Sequence, residues 1–483
     1  MTTRRPGRPS VVDLFCGAGG FSLGFHAAGS DILAAVDVDE TAAGTYAENI
    51  GRLQPQGRPV VLSGDEGNLE DLDLDRLVTR GRPDILIGGP PCQGFSRLGR
   101  AKLDSLTEEG HAADPRNELY VGFLDAAELW RPLAVVMENV PGMLSVGGRN
   151  IADDAAADLA ARGYQVGYAV LNAVWYGVPQ FRERLFFIGI RDDLDVIPVM
   201  PPATHVTALP SGYFRPRAEW TAPLPFIRHS ELPVEMGRAE ISATIVSEAI
   251  GDLPHLTDHL SSGSRRLGRD GETVDFVREP HSHFARIMRM WPGLPATHAL
   301  KDHVIRRTPR DYETFRRMNA GDRYPAALAI SKARFQDELE HLATQAKAPT
   351  PGSPEYRALE RRFVPPYPEG IFIDKWRKLR PDQPAWTVPA HLSKDAYSHI
   401  HYDGDQARAI SIREAARLQS FPDAFNFNGN MGERFRQVGN AVPPLLAWAI
   451  ASTLLESLGF DGSSRPWAHA ESRHTQPSPA GIV

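Results

Sequence analysis

Cysteine is nearly absent: Cys16 and Cys92 are the only two in 483 residues. That excludes a disulfide framework and a cysteine-rich zinc site, fits a reducing compartment, and leaves a thiol free to react. No apolar run approaches the roughly 18 to 20 residues that a membrane span needs. The arginines of Met1 to Ser10 have no apolar stretch behind them, so this segment does not read as a signal peptide. The expectation is a cytoplasmic protein with no membrane partner. Internal repeats are absent, and so is an excess of positive charge: 53 Lys and Arg stand against 60 Asp and Glu, a net charge of −7. A histone-like binder is thereby disfavoured, although cations can still gather on one face. What remains is an ordinary soluble composition, 42% hydrophobic and 23% charged, in a chain with room for roughly two or three domain-sized units.

The chain is organised around Gly88-Gly89-Pro90-Pro91-Cys92-Gln93-Gly94-Phe95-Ser96, entered from the apolar run Asp84-Ile85-Leu86-Ile87. A short β-branched run bounded by Gly and Pro reads as a buried strand, which places Cys92 in the loop at the strand's carboxyl end. Open α/β sheets put their chemistry there. Two prolines fix φ ahead of the sulfur and remove two backbone donors, so one side chain is presented from a glycine-bearing loop. The competing reading of such a cysteine is a small hydrophobe packed in a core.

Around that loop an alternating pattern is legible. Ser10 to Phe15 reads as a strand that runs through Cys16-Gly17-Ala18-Gly19-Gly20 into a helix from Phe21 to Ala28. Glycines there let the backbone approach a ligand, but Ser22 occupies the place of the third glycine of a dinucleotide fingerprint, which counts against NAD. A second strand, Ile32 to Val36, ends at Asp37, and a third, Val60 to Leu62, ends at Gly64-Asp65. An acid at the tip of strand two is placed to grip a ribose, and Asp65 could accept from an adenine amino group. Each acid alone is more often a helix cap or a solvated turn residue. A helix to Trp130 precedes the strand Leu133 to Met137, which delivers Glu138-Asn139-Val140-Pro141-Gly142. A carboxylate at the tip of an apolar strand is costly unless used or paired. After a helix at 151 to 161, Gln180, Arg182 and Arg184 alternate ahead of the strand Leu185 to Ile190, so all three point the same way, into one cleft or along a solvated edge.

From about Pro201 to Phe372 the alternation stops, and Pro, His and Arg become frequent. This suggests an irregular inserted domain. Its basic clusters with aromatics between them, notably Arg306, Arg307 and Arg310 near Tyr312 and Phe315, suit phosphate contact. The α/β character returns at Trp376 and ends in an apolar helix to Leu458. The expected plan is a flexible basic arm at 1–9, a catalytic and cofactor-binding part at 10–195, a target-recognition domain at 196–375, a return to the catalytic domain at 376–458, and a disordered tail at 459–483.

Taken in order, Asp13-Leu14-Phe15-Cys16-Gly17-Ala18-Gly19-Gly20-Phe21, Pro90-Pro91-Cys92-Gln93-Gly94-Phe95-Ser96, Glu138-Asn139-Val140, Gln180-x-Arg182-x-Arg184, Arg413-Glu414-Ala415-Ala416-Arg417-Leu418-Gln419 and Gly439-Asn440-Ala441-Val442 closely resemble the DNA (cytosine-5) methyltransferases. The resemblance covers roughly residues 10 to 195 and 376 to 458. It implies a Rossmann-like α/β sheet domain that binds S-adenosylmethionine, completed by the C-terminal segment and interrupted by a target-recognition domain. It also implies methyl transfer to C5 of a flipped-out cytosine in a specific duplex DNA sequence, through a covalent bond from Cys92 to C6. Glu138 would act at cytosine N3, with Arg182 and Arg184 as donors and Asn139 fixing the loop.

By the same resemblance Phe15, Gly17, Gly19, Gly20 and Pro90 shape the cofactor pocket, Asp37 takes the ribose, Asp65 the adenine, and Asn440 with Val442 closes the methionine end. Family members usually carry Glu where Asp37 stands, followed by a large aromatic over the adenine. This chain has Val38 there. Gln93, Ser96 and Arg97, with Arg306, Arg307 and Arg310, are the expected DNA contacts. No metal is implied. The setting implied is a restriction-modification or solitary bacterial methyltransferase, monomeric and nucleoid-associated, with a restriction endonuclease acting on the same site as a possible partner. Three alternatives remain: a tRNA cytosine methyltransferase, which the large insert disfavours; a non-catalytic DNA-binding regulator, which would be expected to lose Cys92 or Glu138; and an NAD oxidoreductase.

Overall fold

The computed structural model describes residues 5–55, 57–91, 116–144, 150–210, 227–228, 241–261, 273–296, 298–373, 375–392 and 397–461. Cys92, Gln93, Ser96 and Arg97 lie outside the described residues.

Runs of β-branched residues form one mixed sheet, and period-two alternation decides which side chains face which layer. Its strands are β1 (Ser10–Leu14), β2 (Asp31–Asp37), β3 (Val60–Ser63), β4 (Ile85–Gly88), β5 (Ala134–Asn139), β6 (Tyr164–Asn172) and β8 (Glu183–Arg191). The order is β6-β8-β5-β4-β1-β2-β3, with the two-residue strand Ile227–Arg228 beyond β6. Strands β3, β2, β1, β4 and β5 run parallel, and β8 pairs antiparallel with both β5 and β6. The chain leaves β1 toward β2 on one side and β4 toward β5 on the other, so the connections diverge between β1 and β4, and the crevice opens at the carboxyl ends of those two strands.

Both faces of the sheet are covered. Val11, Ile32, Ile85, Ile87 and Val136 face one layer, where helix α1 (Gly20–Ala27) packs with the C-terminal helix Pro444–Ser457. Val12, Leu14, Leu86, Val135 and Met137 face the other, under α3 (Arg116–Trp130) and α4 (Ile151–Ala161). A Cβ on Gly24 of α1 would collide with Ala447 and Trp448, so this glycine permits the close crossing that builds one domain from both ends of the chain. An 18-residue window within Met431–Ser457 is apolar enough to resemble a membrane span, but 78% of that window is buried.

Several elements differ from expectation. Helix α2 (Glu40–Leu53), capped by Asp39 on Thr41 and Ala42, and strand β6 were not foreseen. Arg5, expected in a loose arm, donates its backbone N–H to Gly459 and pairs with Phe460, two residues assigned to the tail. Arg8 is likewise held by Asp31 at 2.7 Å. The segment expected as a separate domain is divided in its packing. Val246, Ile250, Phe284, Met288, Trp291 and Leu300 join the main core. Phe315, Met318, Tyr324, Leu328, Trp376, Tyr397 and Ile400 form a small aromatic core of their own, which draws in residues on both sides of the expected boundary at 376. The helix Tyr324–Thr344, 21 residues long, runs through that part.

Candidate active site

The glycine turn after β1 is shaped by backbone that only certain residues tolerate. Phe15 has φ 63°, and Gly17 and Gly19 have φ 52° and 96°. A Cβ on Gly19 would stand 2.8 Å from the Tyr46 ring, and one on Gly20 would strike the carbonyl of Val442. Asp37 Oδ2 accepts from the Gly17 N–H at 2.8 Å and Oδ1 from Asp39 N–H at 2.9 Å, which ties the tip of β2 to the turn. Burial raises the Asp37 carboxyl above its ordinary value, against those two N–H groups. Beside it lies a pocket lined by Phe15, Val36, Asp37, Val38, Gly67, Leu69, Pro91 and Leu119. Val38 is 59% exposed at its rim. Asp65 stands exposed on the neighbouring 3-10 turn, while Gly67 and Leu69, which sequence reasoning missed, line the pocket. Val442 is buried behind Gly20, and Asn440 ends the helix Met431–Asn440, exposed.

Behind the turn sits a group that the sequence does not mark. The Asp13 carboxyl is 1% exposed, accepts from Ser22 Oγ at 2.6 Å, and Ser22 Oγ meets Tyr46 Oη at 2.7 Å. Ser22, standing where a dinucleotide site would have glycine, thus anchors the first turn of α1. Burial pushes Asp13 up to about 7. A folded value above the unfolded one means that the native state binds the proton more tightly, so stability falls as pH rises from about 4 to about 7. Asp13→Asn is expected to flatten this slope in urea unfolding followed across that range. A variant with the wild-type slope would remove Asp13 as its source.

Strands β4 and β5 run side by side, with Gly88 opposite Met137, so Glu138 and Asn139 flank the loop that leads to Cys92. A Cβ on Gly89 would lie 3.2 Å from Glu138 Oε2. Arg184 Nε meets Glu138 Oε1 at 2.9 Å, and the Glu138 side chain is only 14% exposed. Burial raises its carboxyl above the ordinary value, and Arg184 and then Arg182 oppose that. Asn139 Nδ2 donates to the Pro90 carbonyl at 2.9 Å and its Oδ1 accepts from Val140 N–H, so it anchors the loop two residues ahead of the sulfur. Cys16 is 6% exposed and burial pushes its thiol up, which disqualifies it as a nucleophile.

Gln180 and Arg182 do not join Arg184 in a shared cleft. Gln180 donates to the Leu418 carbonyl at 2.7 Å and to the Gln419 side chain, and accepts from Val388 N–H. Arg182 is 1% exposed and donates to the carbonyls of Gly439 at 2.8 Å, Ala441 at 3.1 Å and Val388 at 3.2 Å. Strand β7 (Gln180–Phe181) also pairs with β9 (Ala385–Trp386). Two of the three alternating side chains therefore fasten the returning segment to the first part. Arg413, Glu414 and Arg417 are likewise buried and internally paired, Arg417 with Asp252 and Asp423, Glu414 with Arg408. Of the expected DNA contacts, Arg310 is engaged by Asp311 at 2.6 and 3.0 Å. Arg306 lines a small cavity with Tyr397, His399 and Phe435, and Arg307 is exposed.

The fold and site define an α/β enzyme with a nucleotide-type crevice at its topological switch point. The sequence profile described as C-5 cytosine-specific DNA methylase matches residues 10–224 and 307–456. A chain assigned as type II methyltransferase M.OihORF3336P of Oceanobacillus iheyensis is 37% identical, over 93% of this chain and 96% of that one. Type II methyltransferase M.AgeI of Thalassovita gelatinovora is 34% identical, over 92% and 98%. A crystal structure assigned to a DNA modification methyltransferase encoded within an E. coli prophage shares the fold, with a TM-score of 0.58 at 22% identity, covering 93% of this chain and 99% of that one. The chain belongs to the C-5 cytosine-specific DNA methylase family, whose members methylate cytosine at C5 in DNA.

Proposed function

We propose that the chain transfers a methyl group from S-adenosylmethionine to C5 of a cytosine flipped out of duplex DNA, through a transient bond between Cys92 and C6. The carrying observation is the juxtaposition at β4 and β5: a buried carboxyl with an arginine partner beside Gly89, and an asparagine holding the Pro90 carbonyl. Addition of a thiolate to C6 places negative charge on the ring, which a proton or hydrogen bond at N3 relieves. A glutamate at its ordinary value would be protonated only about once in 500 molecules at neutral pH. The upward shift of Glu138 raises that fraction, and Arg184 holds the carboxyl in place. An unperturbed thiol is about 3% thiolate at pH 7, so neighbouring cationic groups are needed to raise that share. Arg184 is the nearer of the two proposed donors to Glu138. Arg182 acts through the C-terminal segment that it binds.

The pocket beside Asp37 offers groups that an adenosine would use: an apolar lining of Val38, Leu69 and Leu119, with a carboxyl group at its edge for the ribose hydroxyls. Asp37 would bind the ribose, Phe15 and Val38 would meet the adenine, and Gly17, Gly19, Gly20, Pro90, Asn440 and Val442 would shape the rest. When bound, the sulfonium supplies an electrophilic methyl group. Asp65 is assigned to the adenine amino group from the adjoining turn. Val38→Trp is expected to tighten S-adenosylmethionine several-fold in calorimetry by covering the exposed rim, and unchanged or weaker binding would reject Val38 as part of the adenine site.

Relatives named as type II methyltransferases support a place in restriction-modification; an endonuclease reading the same sequence is the partner we propose for it. We assign target recognition to 196–375, together with the small aromatic core that this segment shares with Trp376, Tyr397 and Ile400. Bisulfite sequencing of a plasmid carried in cells expressing the chain tests the function. Protected cytosines in one fixed sequence context are expected, and a pattern identical to cells without the chain would contradict it.

A further inference from the structure

Gly88 ends β4 and Gly89 follows it, yet the two glycines have different neighbours. A Cβ on Gly88 would stand 2.4 Å from the Leu14 carbonyl oxygen and 2.9 Å from the Phe123 ring, so that glycine serves the packing of the sheet. A Cβ on Gly89 would meet no such wall. Among the described residues, the heavy atoms within 4 Å of it belong to Glu138 alone, Oε2 at 3.2 Å and the backbone oxygen at 3.8 Å. Nor does the backbone require glycine there, because its φ lies outside the left-handed region. Glycine at such a position costs conformational entropy, and alanine would ordinarily stabilise the fold. What the missing side chain leaves open is the flank of the Glu138 carboxyl.

The two oxygens of that carboxyl are placed differently. Arg184 Nε meets Oε1 at 2.9 Å, and Oε2 is the oxygen turned toward Gly89. In a protonated carboxyl the C=O oxygen accepts from a guanidinium better than the O–H oxygen does, so the arginine directs the proton to Oε2. A Cβ at 3.2 Å would press on that same oxygen, and the carboxyl has little freedom to recede. Arg184 holds it from one side, and its backbone is fixed in register with Phe186 of β8.

We propose that Gly89 is a positioning residue whose missing Cβ leaves Glu138 Oε2 the room in which it hands its proton to N3 of the flipped cytosine. This rests on the function proposed above. As the Cys92 sulfur bonds to C6, the C5=C6 electron pair moves to C4–C5 and the C4=N3 pair moves onto N3. There it takes the Oε2 proton, and the carboxylate left behind stays paired with Arg184.

Methyl transfer from labelled S-adenosylmethionine to duplex DNA tests this in a double-mutant cycle of wild type, Gly89→Ala, Glu138→Gln and the double variant. Gly89→Ala is expected to lower kcat by about tenfold or more, with KM for the duplex within a few-fold of wild type and a melting temperature no lower. In the Glu138→Gln background the same alanine is expected to cost less than about threefold, because the proton that it obstructs is already gone. Equal fold-losses in the two backgrounds would overturn the assignment, since alanine would then act on the loop or on the base rather than on the carboxyl. A wild-type kcat in Gly89→Ala would overturn it too, as would a lower melting temperature in both backgrounds, which would mean that this glycine serves the fold. In each of those outcomes wild type stays active and Glu138→Gln impaired. An inactive wild type, or Glu138→Gln at wild-type kcat, would overturn the function beneath the assignment as well.

Discussion

Glu138→Gln is expected to lower kcat for methyl transfer to duplex DNA by about 10²-fold or more, while KM for the duplex stays within a few-fold of wild type. The amide preserves the size of the side chain and can still meet a ring nitrogen, but it cannot deliver a proton. Wild-type activity should fall at high pH as Glu138 loses its proton, on a limb displaced above the ordinary glutamate range by burial. The variant should lack that limb. Arg184 opposes the displacement, so Arg184→Gln should move the limb further up, in a pH profile of kcat. A Glu138→Gln enzyme with wild-type kcat would remove the carboxyl from the chemistry.

Arg417→Met is expected to destabilise the fold by about 3–5 kcal/mol, read as a lower midpoint in urea unfolding. Arg417 is fully buried and meets Asp423 at 2.5 Å, Asp252 at 3.0 Å and the Ala249 carbonyl at 2.8 Å. Removing it leaves Asp423 buried without its cationic partner, while Asp252 retains Arg289 at 2.6 Å. Asp252 belongs to the segment between the two catalytic parts, so the same change should loosen that segment from the C-terminal part. A loss of about 1 kcal/mol or less would mean that the carboxylates find other partners.

The sheet was legible because its strands are buried on both faces and so read as continuous apolar runs that end in Gly, Pro or an acid. Those endings also line the candidate site, which is why Asp37, Glu138 and the glycine turn stand out in the sequence. Helix α2 was missed because Thr41, Gly44 and Asn49 dilute its helical pattern, and its stability comes from the Asp39 cap and from contacts with the C-terminal segment, as when Asn49 bonds Asn426. Strand β6 carries Gly167 and polar positions that blur the alternation. The misplacement of Gln180 and Arg182 has a different cause. Their period-two spacing correctly puts them on one face, but their partners lie more than 200 residues away, at Leu418, Gly439 and Ala441. Spacing cannot reveal what a face meets. Arg310 shows the same limit at short range, since the acid beside it in sequence holds it.

Whether one sulfur becomes bonded to the target base is tested most directly with a duplex whose target cytosine carries fluorine at C5. That position then has no proton to lose, so the enzyme cannot be released after methyl transfer. Incubated with S-adenosylmethionine, the wild-type chain should form a protein–DNA adduct stable in denaturant, with Cys92 as the linked residue by mass spectrometry. Cys92→Ala should form none and should methylate ordinary duplex at no measurable rate. An alanine variant that methylates as fast as wild type would contradict the account.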